Sequence, residues 1–127
     1  MINSIEYLQL KESSQNVLVM NAPKYFLNYL DDNKINYDSE VEQDLYNFIL
    51  IFGISNEEIM QYASLYIDFL SDKGSVLLGY PKKESKNYRG TNCNYNTVAD
   101  LLLEYNFRVD SAININDDFN GLSFMSK

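Results

Sequence analysis

Hydrophobic positions along this chain follow two rhythms. Three continuous apolar stretches, at residues 16–21, 46–52 and 75–80, lack the alternation of a half-exposed strand. Continuous runs of this length require burial on both faces, as in the central strands of a parallel sheet. Between them the spacing turns helical. After Pro23, which suits a first helical turn, Tyr25, Phe26, Tyr29 and Leu30 recur at three- and four-residue intervals. After Ser55 and Glu58, spaced as a reciprocal capping box, Ile59, Met60, Ala63, Ile67 and Leu70 form a second stripe, with Gly74 as its left-handed stop. Val98, Leu101, Leu102 and Tyr105 predict a third helix, with Thr97 near its start and Asn106 as its left-handed cap. Residues 35–41 read as a short strand, 107–115 as an alternating one, 116–118 as a turn and 119–125 as a final antiparallel strand. Residues 1–15 are weakly patterned, an arm or short helix in which Ile5, Leu8 and Leu10 are the packing candidates.

Strand, helix, strand, helix, strand in this order predicts one α/β domain over residues 1–127. Its architecture is a three-layer, Rossmann-like, mostly parallel sheet with a C-terminal antiparallel strand. Ligands of such sheets lie beyond the carboxyl ends of the strands. Here those ends carry Asn21-Ala22-Pro23, Gly53-Ile54-Ser55, Tyr80-Pro81-Lys82-Lys83 and Asn116-Asp117-Asp118.

Composition narrows the partners. With 46% hydrophobic residues, eleven Tyr and seven Phe, the chain has ample material for one core. A net charge of -8 argues against nucleic acid and anionic membranes, which are held by cations that displace counterions. No apolar run has the length of a membrane span, and the first residues lack the basic and apolar regions of a secretory signal. The single Cys93 forms no internal disulfide, so a reducing cytoplasm is the expected setting. The absence of histidine removes the commonest general base and metal ligand.

The stretch from Tyr46 to Met125 resembles the second half of a class I methyltransferase. Leu70-Ser71-Asp72-Lys73-Gly74-Ser75-Val76-Leu77 is similar to that family's entry into a late strand. Leu101-Leu102-Leu103-Glu104-Tyr105-Asn106-Phe107-Arg108-Val109 is similar to its helix-to-strand passage. These are packing motifs, so the resemblance implies the fold. The first half departs from the family where its enzymes place a glycine-rich turn that lets the backbone approach adenosylmethionine. Here the turn reads Met20-Asn21-Ala22-Pro23-Lys24. The acidic residue that ends strand two and holds the ribose in those enzymes has Asp38 and Glu40 as candidates. The last fifty residues also resemble a family of small uncharacterised bacterial proteins. The matching positions are Tyr80-Pro81-Lys82-Lys83 with Ser85 and Lys86, then Asp117-Asp118, then Phe119 where a tryptophan is expected. That resemblance implies no activity.

The one local charge anomaly is Lys82, Lys83, Lys86 and Arg89, four of the ten basic residues within eight positions at the end of a buried strand. The following helix N-terminus adds partial positive charge. Together with Asn21 and Asp118 at the same edge, these residues are the candidate ligand-binding set. The alternative is a solvated loop whose lysines pair with Asp117 and Asp118. Asp31-Asp32 and Asp117-Asp118 read as turns rather than metal ligands, and no metal is assigned. Cys93 lies near Arg89 and before a helix, conditions that lower a thiol pKa, but no histidine serves it as a base. There is no phosphate-binding P-loop, dinucleotide turn or nucleophile elbow, so no catalytic residue and no cofactor is assigned. Three readings follow: a non-catalytic module binding a small anion, a degenerate or minimal methyltransferase-like enzyme, and a protein-interaction module using a sheet edge or aromatic helix face.

Overall fold

A computed structural model of the chain describes residues 2–3 and 16–126. The proposed arm or short helix at 1–15 falls outside the described residues, except that Ile2–Asn3 form a short strand, β1. There follow β2 (Val17–Met20), α1 (Lys24–Asp32), β3 (Tyr46–Phe52), α2 (Asn56–Tyr66), β4 (Leu70–Pro81), α3 (Tyr95–Leu101), β5 (Phe107–Asn114) and β6 (Phe119–Ser126). They form one six-stranded sheet in the order β1-β5-β6-β4-β3-β2. β2, β3 and β4 are mutually parallel, and β6 lies antiparallel between β4 and β5. The three apolar runs are thus the parallel strands their continuity predicts. Every residue of β2 is buried, and six of the seven in β3.

Helices cover both faces. Leu18, Ile49, Ile51, Val76 and Leu78 pack with Ile59 and Ala63 of α2 and Val98 of α3 on one side. Val17, Val19, Phe48, Leu50 and Leu77 pack with Phe26 and Leu30 of α1 on the other. The two clusters alternate along each strand, as the two-residue period of a strand requires.

Three local expectations are corrected. Residues 35–41 are not a strand. Only Asp38 makes a single parallel bridge, to Leu18, donating to the Val17 carbonyl at 2.8 Å and accepting from the Val19 N–H at 2.9 Å. With two exposed glutamates and an exposed serine nearby, this segment has too little apolar surface to enter the sheet. Gly74 does not stop a helix. α2 gives way to a 3-10 turn at Ile67–Phe69, and β4 begins at Leu70. Gly74 is needed there because a Cβ would come within 2.9 Å of the Asn47 carbonyl. The α2 cap is also only half of the predicted box. The Ser55 hydroxyl accepts from the Glu58 N–H at 3.1 Å, but the Glu58 carboxylate accepts from Ile54 N–H at 3.0 Å rather than from Ser55. Asn106 does take the left-handed conformation its position predicts, with φ 64°.

A row of aromatic rings crosses the α1 side of the sheet. Phe26 meets Phe52 at 4.8 Å, Phe52 meets Phe119 edge-on at 5.2 Å, and Phe119 meets Tyr88 at 4.9 Å between ring centres. Gly79 makes room for it, since a Cβ there would lie 2.9 Å from the Phe52 ring. Gly79→Ala is therefore expected to destabilise the fold by about 1–3 kcal/mol, the usual cost of overpacking a core. Urea denaturation measures this, and a change under about 0.5 kcal/mol would show that the row has slack.

Candidate functional site

The carboxyl ends of β2, β3, β4 and β5 lie along one edge, and most of that edge is filled by the protein's own polar side chains. At the end of β2, Asn21 adopts a left-handed conformation, φ 59°, which asparagine tolerates better than other non-glycine residues. The backbone turn a glycine would permit is therefore made, but a side chain comes with it. The Asn21 amide donates to the Phe52 carbonyl at 2.9 Å and to the Glu58 carboxylate at 3.1 Å, closing the crevice between β2 and β3. Asp38 faces away from this edge. Its carboxylate accepts from the Tyr46 hydroxyl at 2.6 Å, at the beginning of β3, and Glu40 is exposed.

The helix N-termini are occupied in the same way. Asn92 enters the first turn of α2, accepting from the Asn56 N–H at 2.8 Å and donating to Glu57 at 2.8 Å. Thr91 donates to the Ile54 carbonyl at 2.8 Å. At α3 the capping box is reciprocal: Asn94 accepts from the Thr97 N–H, and the Thr97 hydroxyl accepts from the Asn94 N–H, both at 3.0 Å. The partial positive charge expected from this helix is thus already met by its own cap. Cys93 is buried beside these groups. Desolvation, helped by the charges of Glu57 and Glu58, pushes its thiol pKa up against the opposing Thr91 hydrogen bond. The lowering that its proximity to Arg89 implies is not found, and the thiol stays protonated near neutral pH.

The basic loop after β4 is the exception. Its course is set by Asp118. The Asp118 carboxylate accepts from the Ser85 hydroxyl at 2.7 Å and from the Asn87 amide at 3.1 Å, and its carbonyl accepts from the Lys82 N–H at 2.7 Å. Ser85 is only 4% exposed, and its oxygen also accepts from the Tyr88 N–H at 3.2 Å. Asn116 fixes the facing turn, its side-chain oxygen accepting from the N–H groups of Asp118 and Phe119, each at 2.9 Å. Neutral donors thus satisfy Asp118, and the lysines do not pair with it. Lys82 donates to the Asn114 side-chain oxygen at 2.6 Å, while among the described residues the side chains of Lys83, Lys86 and Arg89 have no polar partner.

The four cations do not converge on one point. Lys82 and Lys86 line a cavity of about 530 Å³ with Glu84, Asp117 and Asp118. Lys83 borders a smaller one, about 200 Å³, next to Cys93 and Tyr95, and Lys82 lies on its wall as well. Arg89 is exposed and lines neither. A neighbouring cavity of about 380 Å³, formed by Tyr25 and Tyr29 of α1 against the 115–118 turn, carries no sequence signal beyond the helical spacing of its tyrosines. That spacing reads as core or rim packing; Phe26 and Leu30 take the core, and Tyr25, 44% exposed, lies on the rim. Partial desolvation pushes the Tyr25 hydroxyl pKa up to about 12; Asn116 opposes the shift, and Tyr88 and Asp118 add to it. Among the described residues, no three histidine, cysteine or acidic side chains group to hold a metal ion, and no helix is long and apolar enough to cross a membrane.

Because Asp118 holds both Ser85 and Asn87, Asp118→Ala should release the loop. The expected cost is about 1–3 kcal/mol, from hydrogen bonds to a charged group and a buried hydroxyl left without its acceptor. Amide exchange over residues 82–90 should accelerate well beyond that in β3. Unchanged exchange would show that the Tyr88–Phe119 contact holds the loop by itself.

No protein-family model matches the sequence, and no curated protein does. Solved structures do match in fold. The M1A22 tRNA methyltransferase TrmK of B. subtilis superposes with a TM-score of 0.60 at 9% identity, over 100% of this chain and 67% of that one. The N-methyltransferase NodS of Bradyrhizobium japonicum WM9, solved with S-adenosyl-l-homocysteine, gives 0.60 at 13% identity, over 96% and 84%. A putative type 11 methyltransferase of Sulfolobus solfataricus gives 0.57 at 16% identity, over 97% and 91%. At these identities the likeness concerns architecture: the chain has a methyltransferase-like α/β fold with a mixed, mostly parallel sheet and antiparallel C-terminal strands.

Proposed function

We propose that this chain is a non-catalytic module that binds a small anionic ligand at the loop following β4. The observation that carries this reading is the contrast within that loop. Its backbone is pinned by Ser85, Asn87 and Tyr88, yet the Lys83, Lys86 and Arg89 side chains have no polar partner among the described residues. A held loop presenting unneutralised cations loses little conformational freedom on binding, so more of the interaction appears as affinity. Elsewhere along the edge, the crevice beside Asn21 and the starts of α2 and α3 are filled by internal hydrogen bonds.

Phosphate, nucleotides and dicarboxylates titrated at constant ionic strength should include at least one that raises the melting temperature beyond matched chloride. A one-site ligand at 100 times its dissociation constant stabilises by about 2.7 kcal/mol. Lys86→Ala should abolish the response and change the unliganded stability by less than about 0.5 kcal/mol. If no anion acts, or the variant responds like the parent, the loop is ordinary surface.

The shared fold favours a second reading, a minimal methyltransferase-like enzyme. Against it stands Asn21, whose side chain fills the turn where those enzymes bring glycine backbone to adenosylmethionine. Calorimetry with adenosylmethionine is expected to show no useful binding. A dissociation constant of roughly 10 μM or tighter, about 7 kcal/mol, would displace the first reading in favour of the second.

A further inference from the structure

Two cavities meet at the turn between β5 and β6, and their walls differ in chemistry. One carries Lys82 and Lys86 together with Glu84; the other carries Tyr25 and Tyr29; Asp117 and Asp118 border both. The loop itself joins them, because the Tyr88 ring packs at a tilt against Phe119 and lies close enough to Tyr25 to affect its hydroxyl. Of the two shared acids, Asp118 is spent on Ser85 and Asn87. Asp117 is exposed and has no polar partner among the described residues.

We infer that the ligand of this site is a nucleoside monophosphate, its base against Tyr25 and Tyr29, its sugar hydroxyls at Asp117 and its phosphate at Lys82 and Lys86. The inference rests on the anion-binding reading above and assigns its ligand class. The order of chemistries along the surface supports it. Rings with an exposed face stack on a flat heterocycle irrespective of its sequence of donors and acceptors. A free carboxylate between ring and cation sites repels a bare anion but accepts hydrogen bonds from a hydroxyl-bearing connector. Such a carboxylate therefore discriminates against inorganic phosphate and for a sugar phosphate. The first cavity, about 380 Å³, and the second, about 530 Å³, are each within the size range of small-ligand pockets.

The test compares inorganic phosphate, a free nucleoside and the four common ribonucleoside monophosphates by calorimetry on the whole chain at fixed ionic strength. At least one monophosphate is expected to bind about tenfold or more tighter than phosphate, in line with stacking on an aromatic side chain. Tyr25→Ala should remove about that factor for the nucleotide while leaving phosphate binding unchanged, which also shows that the variant is folded. Tyr25→Phe, keeping the ring, should retain most of the gain. Asp117→Asn should narrow the preference for nucleotide over phosphate. If phosphate and monophosphates bind alike and Tyr25→Ala changes neither, the ligand-class assignment is overturned while the anion site stands. If no anion binds, both fall.

Discussion

The contact between Phe52 and Phe119 governs how the rest of this molecule is arranged. Phe52 ends β3 and Phe119 begins β6, and the two rings meet edge-on over Gly79 of the intervening strand. Phe26 extends the row into α1 and Tyr88 extends it into the basic loop. Tilted and edge-on ring pairs contribute about 0.5–1.5 kcal/mol each beyond the area they bury. Three such contacts tie together four segments that share no local sequence. The first turn of α1, the loop after β4 and the turn between β5 and β6 are all attached to this row. Their mutual placement rests on this row together with the hydrogen bonds of Asp118 to the loop.

The edge shows how one architecture can carry different side chains at its strand ends. The chain shares its architecture with methyltransferases at identities of 9–16%, and architecture leaves chemistry open. What differs is concentrated at a few side chains. Asn21 makes a left-handed turn as a glycine would, then spends its amide on Phe52 and Glu58. Asn92 plays the corresponding part at the start of α2. Each is a short polar side chain lying over backbone groups that are otherwise available to a ligand.

Much of the fold was legible because it depends on burial. The runs around Val17, Phe48 and Val76 are apolar on both faces, and only an interior parallel strand accommodates that. The helix cap at Asn106 and the turn at 116–118 were legible from local chemistry. The misreadings occurred where a residue type serves two purposes. Gly74 reads as a left-handed stop, but it is needed because β3 passes within 2.9 Å of where its Cβ would lie. Ile35 to Val41 carries apolar residues at strand spacing, yet its acidic neighbours leave only the Asp38 bridge. At the site, the clustering of Lys82, Lys83, Lys86 and Arg89 was visible as a departure from composition. Their spread over two cavities, with Lys82 on both walls and Arg89 on neither, was not, because the loop's course depends on Ser85 and Asn87 finding Asp118 more than thirty residues away.

The way Asp118 is satisfied also sets the range over which the loop acts. Had lysines paired with it, the carboxylate would have cancelled their charge. Hydroxyl and amide donors satisfy it instead, so no lysine side chain is held against it and the ammonium groups stay available for hydrogen bonding. A unit charge pair at 4 Å is worth about 1 kcal/mol in water, and salt near physiological strength screens beyond about 8 Å. The positive field of the loop is therefore local. Farther out, the net charge of -8 dominates and repels extended polyanions. A small anion can come close enough to feel the lysines without carrying enough charge to be turned away. On the anion-binding reading proposed above, this distribution suits a compact ligand better than an extended one.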